Sequence, residues 1–405
     1  MSVLPAPLSS YTAPHQFEPL LPTFGLADLR QLGAEIVRRS ARLQGMVHPV
    51  TLSALRDLLR LMNSYYSNRI EDQNTHPLLI ARALRRNFDG QPDVARRQRL
   101  AIAHIDAEVA LEGQLAAGSL PVLSTAFVLS AHREIYARLA PADRLSEQGL
   151  AVLPGAIRSE RVTVHRHEPP PPEALPGFLA RFDACYGKPW PEADLPWVVA
   201  AAHHRMAWIH PFIDGNGRAC RLQSHGALWS VSGGLWSPSR GLARRRDDYF
   251  RFLSDADQAR QGDLDGRGNL SDRMLSHWCR FFSEVCLDQV SFMSTMLDLD
   301  GMKLRIAQLV AARSRERGKA SIYRPEIELP LHHLFVAGPL ARGAFQQATG
   351  LPERTASRVL KGLLDDGLLA SDSRTGPVRL ALPIDALGLL LPGLYPEAAG
   401  PTLEA

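Results

Sequence analysis

The stretch His210-Pro211-Phe212-Ile213-Asp214-Gly215-Asn216-Gly217-Arg218-Ala219-Cys220-Arg221 constrains this chain more than any other. An apolar helical run, PWVVAAAHHRMAWIHPF, ends in it, and a second run, RACRLQSHGALW, starts from it. The connection holds Gly215 and Gly217, which can take positive φ angles that other residues resist. A glycine loop feeding a helix N-terminus gathers unpaired backbone N–H groups at the positive end of the helix dipole, which makes it an anion site. Asn216 can add an amide donor to it. Arg218 and Arg221 are spaced i and i+3 on the first turn of the new helix, so they share a face and can clamp two phosphates of a polyphosphate. Asp214 offers a hard carboxylate oxygen for a Mg²⁺ shared with phosphate oxygens. His210, just ahead of the loop, belongs to the one side-chain type that titrates near neutrality, which suits it to take a hydroxyl proton. Base, metal ligand, anion nest and arginine clamp in one short stretch describe a phosphate-transfer site.

The rest of the chain reads as a mainly α protein of more than one domain, as 405 residues lead one to expect. Residues 1–25 form a proline-rich, flexible start, followed by a helical domain over 26–119. There ADLRQLGAEIVRRSARL and VTLSALRDLLRLMNSYYSNRI repeat apolar residues at three- and four-residue steps, with Thr51 as the expected N-cap. The core carrying the glycine loop spans 120–300, and Pro196 suits the start of the helix that leads into the loop. Within that core Val162 and Val164 alternate with polar residues in RVTVHRH, between the turn-prone Pro154-Gly155 and the run Pro169–Pro172. This is a short extended piece or hairpin, too small to be a sheet of its own. Residues 301–385 make a compact last unit: a helix, a turn at Gly350, a second helix ERTASRVLKGLLDDG, and SDSRTGPV as a turn between two short strands. A tail, 386–405, follows.

Bulk properties exclude more than they assign. Basic residues outnumber acidic ones only 46 to 42, so no strongly cationic surface is implied. Cys185, Cys220, Cys279 and Cys286 form no CxxC pair and read as reduced thiols of a cytoplasmic protein, Cys220 as a core residue. The first residues lack a secretory pattern, and no apolar run approaches the roughly 20 residues that span a bilayer, so no membrane partner is expected. His203, His204, His210 and His225 lack a zinc spacing such as HExxH and read as core or surface histidines rather than a metal cluster. Arg244-Arg245-Arg246 reads as a solvated loop ahead of a nucleic-acid contact, while Arg158 and Arg161 either contact a target or solubilise an exposed edge.

From His210 to Arg221 the chain matches every defined position of H-x-F-x-[D/E]-G-N-G-R-x-x-R, and in this it resembles the Fic family. PGAIRSERVTVHRHEPPPPEALPGFL looks like that family's β-hairpin flap and its proline-rich exit, and DDYFRFLSDADQARQGDL is similar to the helix beyond the active loop. The similarity covers roughly Leu120 to Leu287. It implies a Fic-type helical core that moves AMP from ATP onto a Tyr, Ser or Thr hydroxyl of a target protein or of the chain itself. His210 would deprotonate that hydroxyl for attack on the α-phosphate, and Asp214 would hold Mg²⁺ on the α- and β-phosphates. Gly215, Asn216 and Gly217 would cradle the phosphates, Arg218 and Arg221 would grip the β- and γ-phosphates, and Phe212 would anchor the loop. The flap would pin an unidentified target as an added strand.

Upstream, Ser67-Asn68-Arg69-Ile70-Glu71-Asp72 is similar to the family's inhibitory S/T-x-x-x-E-G/N motif, with Asp72 standing where Gly or Asn is usual. Ser67 and Glu71 fall on one face of a helix end, and a carboxylate reaching Arg221 would compete with the γ-phosphate. The same glutamate could position a water for removing AMP. The nest recognises a pyrophosphate without reading the base, so transfer of UMP, phosphocholine or phosphate is the alternative chemistry. The last unit resembles a winged helix-turn-helix. Its second helix sets Arg354, Arg358 and Lys361 against Glu353, Asp365 and Asp366, so it is not net basic. DNA contact, and with it a nucleotide-sensing regulator, is therefore the lesser expectation behind a packing or partner-recognition role.

Overall fold

Apolar residues recur at helical spacing through most of the sequence, and the structure is accordingly mainly helical. This computed structural model describes residues 11–146, 148–164 and 167–396. The chain divides into two units. Unit one takes the residues up to Arg38, Asn63–Ser232 and Ser237–Gln289, and unit two takes Arg39–Met62, Gly233–Trp236 and the residues from Val290 onward. Helices α1 (Leu26–Gly45) and α2 (Pro49–Ile70) contribute to both.

Unit one is built from α3 (Pro77–Leu84), α4 (Pro92–Ala116), α5 (Thr125–Tyr136), α6 (Leu175–Tyr186), α7 (Leu195–Ile209) and α8 (Asn216–Ala227), with further helices after α8. Prolines open several of them, because the first turn has no N–H bond for proline to forfeit. Ser124 caps α5 by accepting the Phe127 N–H at 3.3 Å. α7 is apolar nearly all round and is buried from Pro196 to Ile209 except at Ala207, as such a helix must be. α8 is the unusual one. It packs against α4, α5 and α7 and is buried from Arg218 to Ala227, yet it carries Arg218, Arg221, Gln223, Ser224 and His225. Polar groups at the centre of a bundle must be bonded, so each needs a named partner. Gln223, for example, donates to the Val122 and Ser124 carbonyls at 2.8 and 3.1 Å.

The expected hairpin contributes a single antiparallel bridge rather than long strands, Val164 with His167, and a separate bridge, Leu145 with Ala151, lies upstream of it. Its turn, residues 165 and 166, lies outside the described residues. His167 closes the segment by bonding the Trp208 carbonyl at 2.7 Å.

In unit two, Arg342–Ala348 and Glu353–Asp365 are consecutive helices with Gly350 between them at φ 67. The second buries Ala356, Val359, Leu360 and Leu363 and leaves Arg354, Arg358 and Lys361 exposed. Strands β1 (Leu369–Ala370) and β2 (Arg379–Leu380) follow as an antiparallel pair in the register Leu369↔Leu380. The first half of α2 belongs to this unit, where Thr51 donates to the Phe335 carbonyl at 3.2 Å. Thr51 is thus inside the helix and not its cap: Pro49, pre-set for a first helical position, starts α2 two residues earlier. No helix among the described residues is long and apolar enough to cross a membrane.

Candidate active site

α7 ends at Ile209, and His210 caps it in the left-handed conformation, φ 51 and ψ 63. A non-glycine residue there costs on the order of 1 kcal/mol, so its surroundings must impose it. The His210 N–H donates to the Met206 carbonyl at 3.1 Å, and the His210 carbonyl accepts from Arg158 Nε at 2.8 Å. On the ring, Nδ1 lies 3.3 Å from the Ala207 carbonyl oxygen. A carbonyl can only accept, so Nδ1 carries the proton and Nε2 keeps the lone pair. Burial pushes the imidazole down to about 4, which leaves it neutral at pH 7.

The loop that follows is built from inside. Phe212 is buried and stacks on His132 with ring centroids 3.8 Å apart. Asn216 laces the turn shut: its Oδ1 accepts the Phe212 N–H at 2.9 Å and its Nδ2 donates to the Phe212 carbonyl at 2.8 Å. Its amide is thus spent on the loop, and only its backbone N–H is left for an anion. Gly215 has φ 80, and a Cβ there would stand 2.6 Å from the Tyr136 ring. Gly217 differs from the expectation of positive φ, since the turn needs one left-handed residue and Gly217 is already within α8. Glycine leaves room there for the ion pair: a Cβ would stand 2.3 Å from Glu71 Oε1 and 2.9 Å from the Arg221 guanidinium and would displace them. The Ala219 N–H is the first to bond back along the helix, to the Gly215 carbonyl at 3.0 Å. The N–H groups of Asn216, Gly217 and Arg218 therefore emerge at the helix end, where the dipole favours an anion.

The two arginines have different partners. Arg218 bonds Asp214 Oδ1 at 3.0 Å and lies over the Tyr136 ring, 5.7 Å from its centroid. Arg221 is buried and committed to the end of α2: Nε donates to Ser67 Oγ at 3.0 Å, and Nη2 to the Ser67 carbonyl at 3.0 Å and to Glu71 Oε1 at 2.6 Å. Burial works to raise the Glu71 carboxyl, but Arg221 and Arg218 outweigh it and hold the group below the usual carboxylate range. The end of α2 fixes this carboxylate in place. The Gln73 N–H bonds the Asn68 carbonyl at 2.9 Å and the Asp72 N–H bonds Arg69 at 3.2 Å, with Asp72 left-handed at φ 56. These are the paired bonds of a Schellman ending, in which Asp72 takes the position that Gly or Asn usually fills. Arg246 then clamps that ending, donating to the Ile70 carbonyl at 3.0 Å and to the Asp72 carboxylate at 2.5 Å. Arg246 is therefore a structural tie and not part of a solvated loop.

Three residues of this site carry no local motif. His132 accepts the Gly155 N–H on Nδ1 at 2.9 Å, so its Nε2–H donates to the Asp214 carbonyl at 3.1 Å. It thereby joins the base of the hairpin to the glycine loop. Tyr136, one turn later on α5, forms the floor under Gly215 and Arg218. Their i, i+4 spacing on an otherwise apolar helix face is the one hint the sequence holds. The third is Arg158, which is buried and neither meets a target nor solubilises an edge. It donates to the His210, Glu160 and Pro170 carbonyls at 2.8, 2.8 and 2.5 Å, and its N–H bonds Pro211 at 2.9 Å. Arg161 is exposed, 3.3 Å from Glu173. Removing the Arg158 side chain leaves three carbonyls without their charged donor. Arg158→Ala is therefore expected to lower stability by about 2–3 kcal/mol in urea unfolding. An unchanged midpoint would show that these bonds do not hold the hairpin.

The four histidines have separate surroundings. His203 lies between Ser224 Oγ (2.8 Å) and Tyr249 Oη (2.9 Å), His204 bonds the Leu253 carbonyl at 3.0 Å, and His225 faces Glu108. Burial raises the Cys220 thiol to about 12, far from a reactive thiolate. One cleft is lined by Gln73, Tyr136, Asp214 and Arg218, and a second by Leu153, Ile157, Arg158 and Ile213.

The sequence model of the Fic/DOC family matches residues 122–226, from before α5 to the penultimate residue of α8. The chain carries a Fic/DOC-family domain. A protein adenylyltransferase Fic of Nematostella vectensis is 27% identical over 201 residues, 49% of this chain and 43% of that protein. The Drosophila willistoni protein of the same name is 30% identical over 138 residues, 34% of this chain and 24% of the relative. The chain thus spans less than half the length of the curated relatives it matches. Among solved structures, a Fic family protein from Desulfovibrio desulfuricans aligns over 92% of this chain and 98% of its own, at a TM-score of 0.50 and 19% identity. A Fic-domain-containing signaling protein from Bacteroides thetaiotaomicron aligns over 65% of this chain, also at 0.50. These likenesses concern the fold.

Proposed function

We propose that this chain is a protein adenylyltransferase that moves AMP from ATP onto a Tyr, Ser or Thr hydroxyl of a target protein or of itself, and that Glu71 restrains it. The observation that carries the reading is the position of His210. Its unprotonated Nε2 belongs to a residue forced into a left-handed cap immediately before a helix N-terminus with free N–H groups. The hydroxyl oxygen bonds to the α-phosphorus, the bond to the α,β-bridging oxygen breaks, and pyrophosphate leaves. The hydroxyl proton passes to His210 Nε2. The Asn216, Gly217 and Arg218 N–H groups hold the phosphate chain, and Arg218 neutralises charge beside it. The hairpin that Arg158 ties to His210 holds the target hydroxyl in line.

A Mg²⁺ fits the residues present. Asp214 offers a partly exposed carboxylate beside the nest, its Oδ1 shared with Arg218, and one carboxylate plus substrate phosphates is the usual hold on this ion. Bound there, Mg²⁺ would offset charge on the phosphates. Glu71 opposes the reaction by occupying Arg221, the second cation of the site.

Incubation with Mg²⁺ and α-³²P-ATP, and in parallel with γ-³²P-ATP, tests the reading. Label from the α- but not the γ-phosphate is the expected result. Label from γ would mean phosphate transfer on the same scaffold. No label from either, in wild type or Glu71→Gly, would sink the reading and leave AMP removal or nucleotide sensing. A gel shift on genomic DNA across salt concentrations examines the latter, since Arg354, Arg358 and Lys361 are the exposed cations of the helix Glu353–Asp365.

A further inference from the structure

Behind the nucleotide site, one turn beyond Arg221 on α8, lies a second cluster that adenylyl transfer does not use. His104, Glu108 and Glu112 recur every four residues along α4, so they lie on one face, and His225 of α8 meets them. His104, Glu108 and His225 are buried and Glu112 is half-buried. One ligand atom each from Glu108, Glu112 and His225 lies within 4.8 Å of the other two. His225 Nε2 is 3.2 Å from Glu108 Oε1, which also accepts from Asn63 Nδ2 at 2.9 Å.

These contacts leave groups unaccounted for. Glu108 Oε2 and both ring nitrogens of His104 have no hydrogen-bond partner among the described residues, although they are shut away from solvent. A buried carboxylate oxygen and a buried imidazole without partners are each costly, and natural cores rarely carry them together without a reason. A histidine–glutamate ion pair explains one oxygen of Glu108 and leaves Glu108 Oε2 and the His104 ring without a hydrogen-bond partner among the described residues.

We propose that Glu108, Glu112 and His225 bind a divalent transition metal of the Zn²⁺ class, with His104 beside it as a second imidazole. Two carboxylates balance the ion's charge. Imidazole selects against Mg²⁺ and Ca²⁺, which take oxygen ligands. Ligands about 2.1 Å from a tetrahedral ion stand about 3.4 Å apart, so the His225–Glu108 spacing already suits it and Glu112 needs only a small side-chain rotation. Asn63 acts as the outer partner that orients Glu108. The ion ties α8, and with it Arg218 and Arg221, to α4. This site is separate from Asp214, and its existence does not depend on the transfer reaction.

The test uses the full chain without an affinity tag, stripped with EDTA and then titrated with Zn²⁺ against a chromophoric chelator. Co²⁺ absorption and thermal unfolding are read in parallel. One Zn²⁺ per chain, a Co²⁺ spectrum of low-coordinate type and a rise in Tm with Zn²⁺ are expected. Glu112→Gln, at a half-buried position that a neutral isostere suits, and His225→Gln should each weaken Zn²⁺ binding at least about tenfold. Asp214→Ala should leave it intact. Absence of stoichiometric binding in wild type, or equal binding in wild type, Glu112→Gln and His225→Gln, would overturn the proposal.

Discussion

His210→Ala is expected to slow AMP transfer by about 10²–10⁴-fold, the usual worth of a positioned general base, while ATP affinity stays nearly unchanged. The two effects separate on the proposed reading, in which backbone N–H groups and Arg218 hold the phosphates and the imidazole takes no part. The replacement also forfeits little bonding, since among the described residues the ring bonds the Ala207 carbonyl alone. Alanine in the left-handed cap is somewhat strained, so a stability control by thermal unfolding accompanies the kinetics. The pH profile gives a second check. A base is competent when unprotonated, and burial holds His210 at about 4. In the protein without nucleotide, kcat/KM should therefore stay level as pH falls from 8 towards 5 and drop only below that. A fall centred near 6.5 would mean an exposed imidazole, and transfer retained by His210→Ala would remove it from the role of base.

How much of this was legible follows from how local each feature is. The glycine loop, His210, Asp214 and the two arginines lie within one short stretch whose residue types already state its chemistry, and the fold brings them together without rearrangement. Ser67 and Glu71 were also legible, because four-residue spacing on a helix fixes a shared face. Their arrival at Arg221 is a long-range fact that only the resemblance suggested. Other features depend on what packs opposite. Gly217 is glycine because Glu71 and Arg221 lie against it, which its own neighbours cannot reveal. His132 and Tyr136 act through contacts with segments distant in sequence and look like ordinary polar residues of a helix, while Arg158 lies in an extended segment where it looks like a surface cation. Thr51 misled in the opposite way: a residue type suited to capping found its partner at Phe335 instead. The cluster around Glu108 combines a regular i, i+4 carboxylate pattern on one helix with a histidine from another, so its sequence signal resembles any charged helix face.

Glu71→Gly is expected to raise self-modification by about 10–10³-fold, because misalignment of the attacking and leaving groups suppresses in-line transfer by such factors. The structure provides the reason. Arg221 is almost wholly buried, and its Nη2 is held 2.6 Å from Glu71 Oε1, away from any phosphate. The carboxylate is ionised at neutral pH, since Arg221 and Arg218 overcome the burial that would protonate it, so the ion pair persists across the physiological range. Its position is set by the Schellman ending of α2 and by Arg246 on Asp72, not by the flexibility of a loop. Glycine at this helix-end position removes the anion while Asn68, Arg69 and Arg246 still hold the backbone. Glu71→Gln distinguishes charge from bulk: it keeps the volume against Gly217 but forfeits the ion pair, so an intermediate activity is expected. Equal rates in wild type, Glu71→Gln and Glu71→Gly would mean that Arg221 is not needed for aligning ATP and that the contact serves only the fold. A rise in Glu71→Gly that vanishes in the double variant with His210→Ala would tie both residues to the same reaction.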